Sequence, residues 1–157
     1  VLIISPISTV AIAMAIQVNG LAAGAAAMGV AATTLVLVVN SWKVNKPGVT
    51  IAIALGAMKM MMPNLFRRPI ILVPCFFTAI ISAVPVALMS ISGSPASGGF
   101  GLVGLVGPLA SIEKGLGVVA ALLAWLVIPV ITSLVGQFLF EKVFKLYDRK
   151  DVFEFLG

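Results

Sequence analysis

The sequence predicts an all-α polytopic membrane helix bundle with broken and re-entrant helices and a glycine-rich loop. Three observations carry this. Of the 157 residues, 61% are hydrophobic and only 10% charged, with a mean hydropathy of +1.22, whereas a soluble domain has about 45–50% and about 25%. Ten basic and five acidic residues cannot clothe a surface of this size in water, so lipid must cover much of it. Several windows approach or exceed the roughly 20 apolar residues that cross a bilayer core. Finally, those windows are divided by glycine, proline and amide residues into pieces of unequal length.

The elements follow in order, within a membrane domain spanning 1–139. Ile7 to Val39 is uncharged over 33 residues. A straight helix of that length would be roughly 50 Å long, against a hydrocarbon core of about 30 Å. Gln17, Asn19 and Gly20 are the natural break. This predicts a short helix over 7–16, started by Ser5 as N-cap and Pro6 at the first position, and a span over 21–39. A polar loop with Lys43 and Lys46 closes on Pro47-Gly48. Residues 50–62 are too short to cross and stop at Pro63-Asn64, which predicts a re-entrant element. Arg67-Arg68-Pro69 makes a basic corner. The window 70–91 predicts a second span, kinked by Pro74 and Pro85. Residues 92–108 form an uncharged Gly/Ser-rich loop, and 117–139 a third span with Pro129 inside. The tail, 140–157, places Phe140, Val143, Phe144 and Tyr147 at i, i+3, i+4, i+7, which predicts an interfacial helix with basic residues between.

Eight of the ten Lys and Arg residues lie in the 40–48 loop, the 67–68 corner and the tail. If 50–62 dips in and returns, all three regions share one side. The positive-inside rule makes that side, and the C-terminus, cytoplasmic. The chain opens on Val1 within an apolar stretch and without a basic flank, so a cleavable signal peptide is not expected and a longer protein is.

One cysteine, Cys75, and no histidine exclude an intrachain disulfide, a Cys/His zinc site, a Ser-His-Asp triad and a Cys-His pair within this chain. No metal, cofactor or catalytic residue is expected here. The net charge of +5 is dispersed among spans, with no basic face to track phosphates, so direct nucleic-acid binding is not expected.

Candidate site residues are few. Gln17 and Asn19 at the break, Asn64, and Ser94, Ser97 and Gly98 in the glycine-rich loop are neutral hydrogen-bonding groups suited to a polyol. Lys59 and Glu113 are possible charged site residues. An ionisable group at membrane depth is a functional candidate, but a lysine can snorkel to the interface, and Glu113 beside Lys114 also reads as a surface pair. Gly20-Leu-Ala-Ala-Gly24 permits close helix packing or, with the break, lines a pocket. The 94–108 stretch is either an external loop or a re-entrant one. GxxxxGK[ST] is absent, so it is no P-loop. Cys75 beside Pro74 fits inert packing.

The runs ISPISTVAIAMAI (4–16) and GLAAGAAAMG (20–29), Pro63-Asn64 through Pro69 and Pro74, and the stretch from Ser94-Pro95 to Gly107 together resemble the second half of the phosphotransferase-system EIIC-like membrane permeases. That family includes PfoR-type regulatory proteins. The resemblance covers nearly the whole chain. It implies a multispanning sugar permease component of the bacterial cytoplasmic membrane, within a longer protein. It also implies a carbohydrate substrate, a lipid bilayer around the protein, and soluble phosphotransferase components or a second copy as partners. The Gly-Ile-Thr-Glu motif and the sugar-site histidine of glucose-type permeases are absent, and Cys75 does not match the phosphocysteine of a soluble EIIB domain. A membrane-embedded regulator of gene expression is the alternative implied, with the tail as output, and a purely structural subunit is a third.

Overall fold

A computed structural model describes residues 8–156. It is a bundle of helices. Among the described residues the only extended pairing is a single bridge between Gly20 and Gly93. Helix α1 (Thr9–Ala15) starts at Ser8, whose hydroxyl accepts from the Ala11 N–H. The Ser5/Pro6 start expected from sequence lies outside the described residues. The chain breaks over 16–19, where Gln17 takes a positive φ of 48°, and resumes as α2 (Gly20–Ser41).

Helices α3 (Pro47–Ala54) and α4 (Met62–Arg67), joined by a turn at Gly56 (φ 119°) and a 3-10 turn over Met58–Met61, form a hairpin. Helix α5 (Leu72–Leu88) returns antiparallel to α2. Helices α6 (Pro95–Phe100) and α7 (Val106–Glu113) form a second hairpin. Helix α8 (Val118–Val143) runs parallel to α2, and α9 (Arg149–Phe153) ends the fold. Among the described residues three helices, Gly20–Ser41, Pro69–Leu88 and Val118–Val143, are long and apolar enough to cross a membrane.

The direction of each helix follows from its neighbours. Ala27, Met28 and Ala31 of α2 cluster with Ala121, Ala124 and Trp125 of α8 and with Val86 and Ile91. Nearer the other end, Val36 and Leu37 cluster with Cys75, Tyr147 and Phe153. Helix α2 is the axis of the bundle: 56% of its most apolar window is buried, against 39% and 33% for the other two spans. Its composition explains this. Alanine and glycine make α2 thin enough for neighbours to approach from several sides.

Three expectations are corrected. Pro74 does not kink a span. It sits in the first turn of α5, where its missing N–H has no intrahelical partner to lose, so only Pro85 lies inside that helix. The 92–108 loop is largely helical, because Ser94 and Ser97 cap each other reciprocally and nucleate α6. The tail does not continue as one amphipathic helix. The chain leaves α8 after Val143 and turns at Lys145 (φ 49°), so Tyr147 is buried while Val143 and Phe144 stay exposed. Pro129 lies within α8, as expected. A π-type turn over Leu123–Val127 precedes it, in which the Ile128 N–H reaches the Leu123 carbonyl. The wider turn accommodates the proline ring and its missing donor.

Candidate functional site

Five of the six neutral candidates gather at one end of α2. Gly98 of α6 lies between Ala13 of α1 and Ala23 of α2: a Cβ added to it would sit 3.8 Å from the Ala13 Cβ and 3.7 Å from the Ala23 carbonyl oxygen. The Gly93 N–H donates to the Gly20 carbonyl at 3.0 Å. Gln17, Asn19, Ser94, Ser97 and Gly98 therefore surround the junction of α1, α2 and α6. Their groups differ in what remains available. The Asn19 amide nitrogen donates to the Gln17 carbonyl at 3.0 Å, leaving Asn19 Oδ1 exposed. The Gln17 side chain is exposed. The Ser97 hydroxyl is buried, donates to the Ser94 carbonyl and accepts from the Ser94 N–H, both at 2.8 Å.

Below this junction the glycine-rich segment is moulded onto α2. A Cβ on Gly24 would overlap the Ile91 carbonyl oxygen, and one on Gly101 would lie 2.8 Å from Val30 Cβ and 2.9 Å from the Ala27 carbonyl. On this side the small residues of α2 accept the backbone of a hairpin, while Ala27 and Ala31 also meet the spanning helices α5 and α8. Gly107 packs under the Trp125 ring, whose indole N–H donates to Ser111 Oγ at 3.2 Å.

The tips of the two hairpins meet beside the middle of α2. A Cβ on Gly56 would lie 2.9 Å from Val103 Cγ1, and Val103 follows Gly101, which is packed on Val30. Next to Gly56 the Thr34 hydroxyl approaches the Met58 sulfur at 3.6 Å. One hairpin enters from the C-terminal end of α2 and the other from its N-terminal end, and neither crosses. Behind the first hairpin lies a cavity of about 300 Å³ walled by Thr33, Leu37, Met58, Met61, Leu65 and Cys75, among others. Its lining is almost wholly apolar, and Thr33 already donates to the Gly29 carbonyl. A sugar placed there would leave most hydroxyls unpaired.

Asn64 is not part of the junction. It lies on α4 at the opposite end, where its Nδ2 donates to the carbonyls of Val152 (2.9 Å) and Glu154 (2.6 Å). Lys59 is half-buried on the 3-10 turn beside Met58, and Glu113 is exposed at the end of α7. Neither lies at the junction of α1, α2 and α6.

Sequence reasoning passed over several buried polar groups. Asn40 Oδ1, Thr78 Oγ1, Ser82 Oγ and the Tyr147 hydroxyl are buried without a protein hydrogen-bond partner. The only available signal was a hydroxyl pair at i, i+4 (Thr78, Ser82) inside an apolar window. Burial, then the nearby Glu141 carboxylate, pushes the Tyr147 phenol above its ordinary value. Among the described residues no group of three or more His, Cys, Asp or Glu could hold a metal ion.

Comparison with curated proteins and with solved structures gives no match. A family model described as the phosphotransferase system, EIIC, matches residues 1–153; it does not single out the PfoR type. Membrane-capable helices, two hairpins meeting between them and a match over nearly the whole length agree, and the chain belongs to the phosphotransferase system EIIC family, the membrane-embedded permease components that handle carbohydrate.

Proposed function

We propose that this chain contributes the translocation path of a sugar phosphotransferase system. On this proposal sugar is handled at the break between α1 and α2, and soluble phosphotransferase proteins act at the opposite, cytoplasmic end. The break between α1 and α2, with the non-spanning α6 hairpin packed against it, carries the reading. Such elements put polar backbone at membrane depth only where protein or water covers it, which is where transporters hold substrate. The exposed Gln17 amide and Asn19 Oδ1 offer neutral donors and acceptors to hydroxyls. Ser94, Ser97 and Gly98 shape the wall opposite, because the serine hydroxyls are largely engaged in capping.

Asn64 falls outside this site, and Lys59 and Glu113 are not needed for a neutral substrate. Lys43, Lys46, Arg67, Arg68 and the basic tail share the end joined by the Asn45 and Asn64 bonds to residues 152–155. The positive-inside rule supports a cytoplasmic C-terminus. Lys46, Arg67 and Lys150, each replaced by cysteine, should label from the cytoplasmic side, and Ser92→Cys should not. Labelling of 46 and 67 from opposite sides would sink this orientation.

The site itself is tested by Gln17→Leu and Asn19→Leu. A lost hydrogen bond with a partner left unsatisfied costs about 1–3 kcal/mol, or roughly 5- to 150-fold in affinity. Sugar binding in detergent should weaken by that amount while the melting temperature holds. Unchanged affinity in both folded variants would remove the break as the site. Transport that is indifferent to the soluble phosphotransferase proteins would remove the coupling.

A further inference from the structure

The end of the bundle opposite the break carries a second arrangement of amides. Asn45, in the loop before α3, donates through Nδ2 to the Phe153 carbonyl at 2.8 Å and accepts through Oδ1 from the Phe155 N–H at 2.7 Å. Asn64, on α4, donates to the carbonyls of Val152 and Glu154. Four hydrogen bonds from two side-chain amides thus hold four consecutive backbone units, beside the helical bonds that the Val152 and Glu154 N–H groups donate to the Asp148 and Lys150 carbonyls. Between them Val152 and Phe153 are 4% and 0% exposed, packed with Ile53, Met58, Met61 and Tyr147. Asn45 stands at the entry of the first hairpin and Asn64 on its exit limb.

We propose that Asn45, Asn64 and the apolar slot between them form a backbone-reading peptide groove, occupied in cis by residues 152–155, which latches the 47–67 hairpin shut. Asn45, which donates and accepts, and Asn64, which donates twice, pair the last carbonyls of α9 and the backbone just beyond it, whatever the side chains there. The side-chain slots then select Val152 and Phe153. Because the same segment ties both limbs of the hairpin, its release frees the wall formed by Met58, Met61 and Leu65 and opens the cavity behind it. The latch bonds involve no titrating group. The latch stands apart from the sugar site and does not depend on it.

Cys75, the chain's one cysteine, lines that cavity and is 7% exposed, so it reports the opening directly. In the full chain in detergent, N-ethylmaleimide labelling of Cys75 and tryptic cleavage at Lys150 would be timed together. The variants are Asn45→Ala, Asn64→Ala, the double variant, and Glu154→Ala, whose side chain is exposed. In the double variant both rates should rise roughly tenfold or more, since each follows the population of the open form. Glu154→Ala should change neither. Faster cleavage with unchanged Cys75 labelling would overturn the coupling to the hairpin. Cleavage as slow as in the parent would overturn the groove. Should the double variant lose its helical circular dichroism, Asn45→Ala alone decides, since that residue lies in a half-buried loop. A rise in both rates supports the latch, and a flat response overturns it.

Discussion

The two hairpins meet at one place, Gly56 against Val103, yet they are held there in opposite ways. The 91–113 hairpin is fixed by shape. A single methyl group would collide with the Ile91 carbonyl at Gly24, with the Ser97 hydroxyl at Gly93, and with the Val30 side chain and the Ala27 carbonyl at Gly101. The 47–67 hairpin is fixed by flexible contacts, with Met58 and Met61 in the core and two asparagines gripping the tail. Methionine fills irregular space and adapts when its neighbours move. Tight glycine packing has no such freedom, because interiors at high density do not deform continuously. This contrast separates the element that can move from the one that cannot. The glycine hairpin is the fixed wall of this bundle, and the methionine hairpin is its releasable one.

Gly24→Ala should break the comparison most severely. Its Cβ would meet the Ile91 carbonyl, which cannot rotate away as a side chain could, and overpacking of this kind costs about 3 kcal/mol or beyond. Thermal unfolding in detergent should show a large loss or no folded protein, and a variant as stable as the parent would show the fixed wall to be soft. The latch variants come next in size, with selective opening and no global loss.

Trp125→Phe sharpens the account of the fixed wall. It removes the indole N–H to Ser111 while Ser111 keeps its bond to the Gly107 carbonyl. The lost bond costs about 1 kcal/mol, with a further loss from the space beside Gly107, read as a modest drop in melting temperature. No drop would mean the ring does not brace Gly107. The smallest effect has the opposite sign. A Cβ on Gly29 meets nothing within 4 Å, so Gly29→Ala should stabilise the helix by about 0.5–1 kcal/mol. Gly24 and Gly29 lie five positions apart on one helix, and a loss at Gly29 equal to that at Gly24 would dissolve the distinction between packed and idle glycines.

Much of this was legible beforehand, and the gaps have a common cause. The division of the first uncharged run at Gln17–Gly20 could be seen because a length limit and a break signal coincided. The helical character of 92–108 was missed. Its glycine content argues for a loop, whereas the reciprocal Ser94/Ser97 cap and contact with α2 outweigh that local preference. Asn64 was grouped with Gln17 and Asn19 because all three are amides in apolar surroundings. Chemistry alone cannot say which end of a bundle an amide reaches.

Composition along the chain was enough to establish the membrane class and the three apolar windows able to cross, because both rest on a local quantity. A stretch of about 20 residues is either apolar enough to replace water with lipid or it is not. It also determined that nothing in this chain matches a zinc centre or a histidine triad, since the residues are missing. The folded arrangement was needed to show that part of the small face of α2, at Gly24 and Ala27, receives a hairpin backbone. It alone decided that Asn45 and Asn64 hold a segment 108 and 88 residues further along. Hydrogen bonds over such separations leave no periodicity in the chain. They exist only once hydrophobic burial has fixed which surfaces face each other.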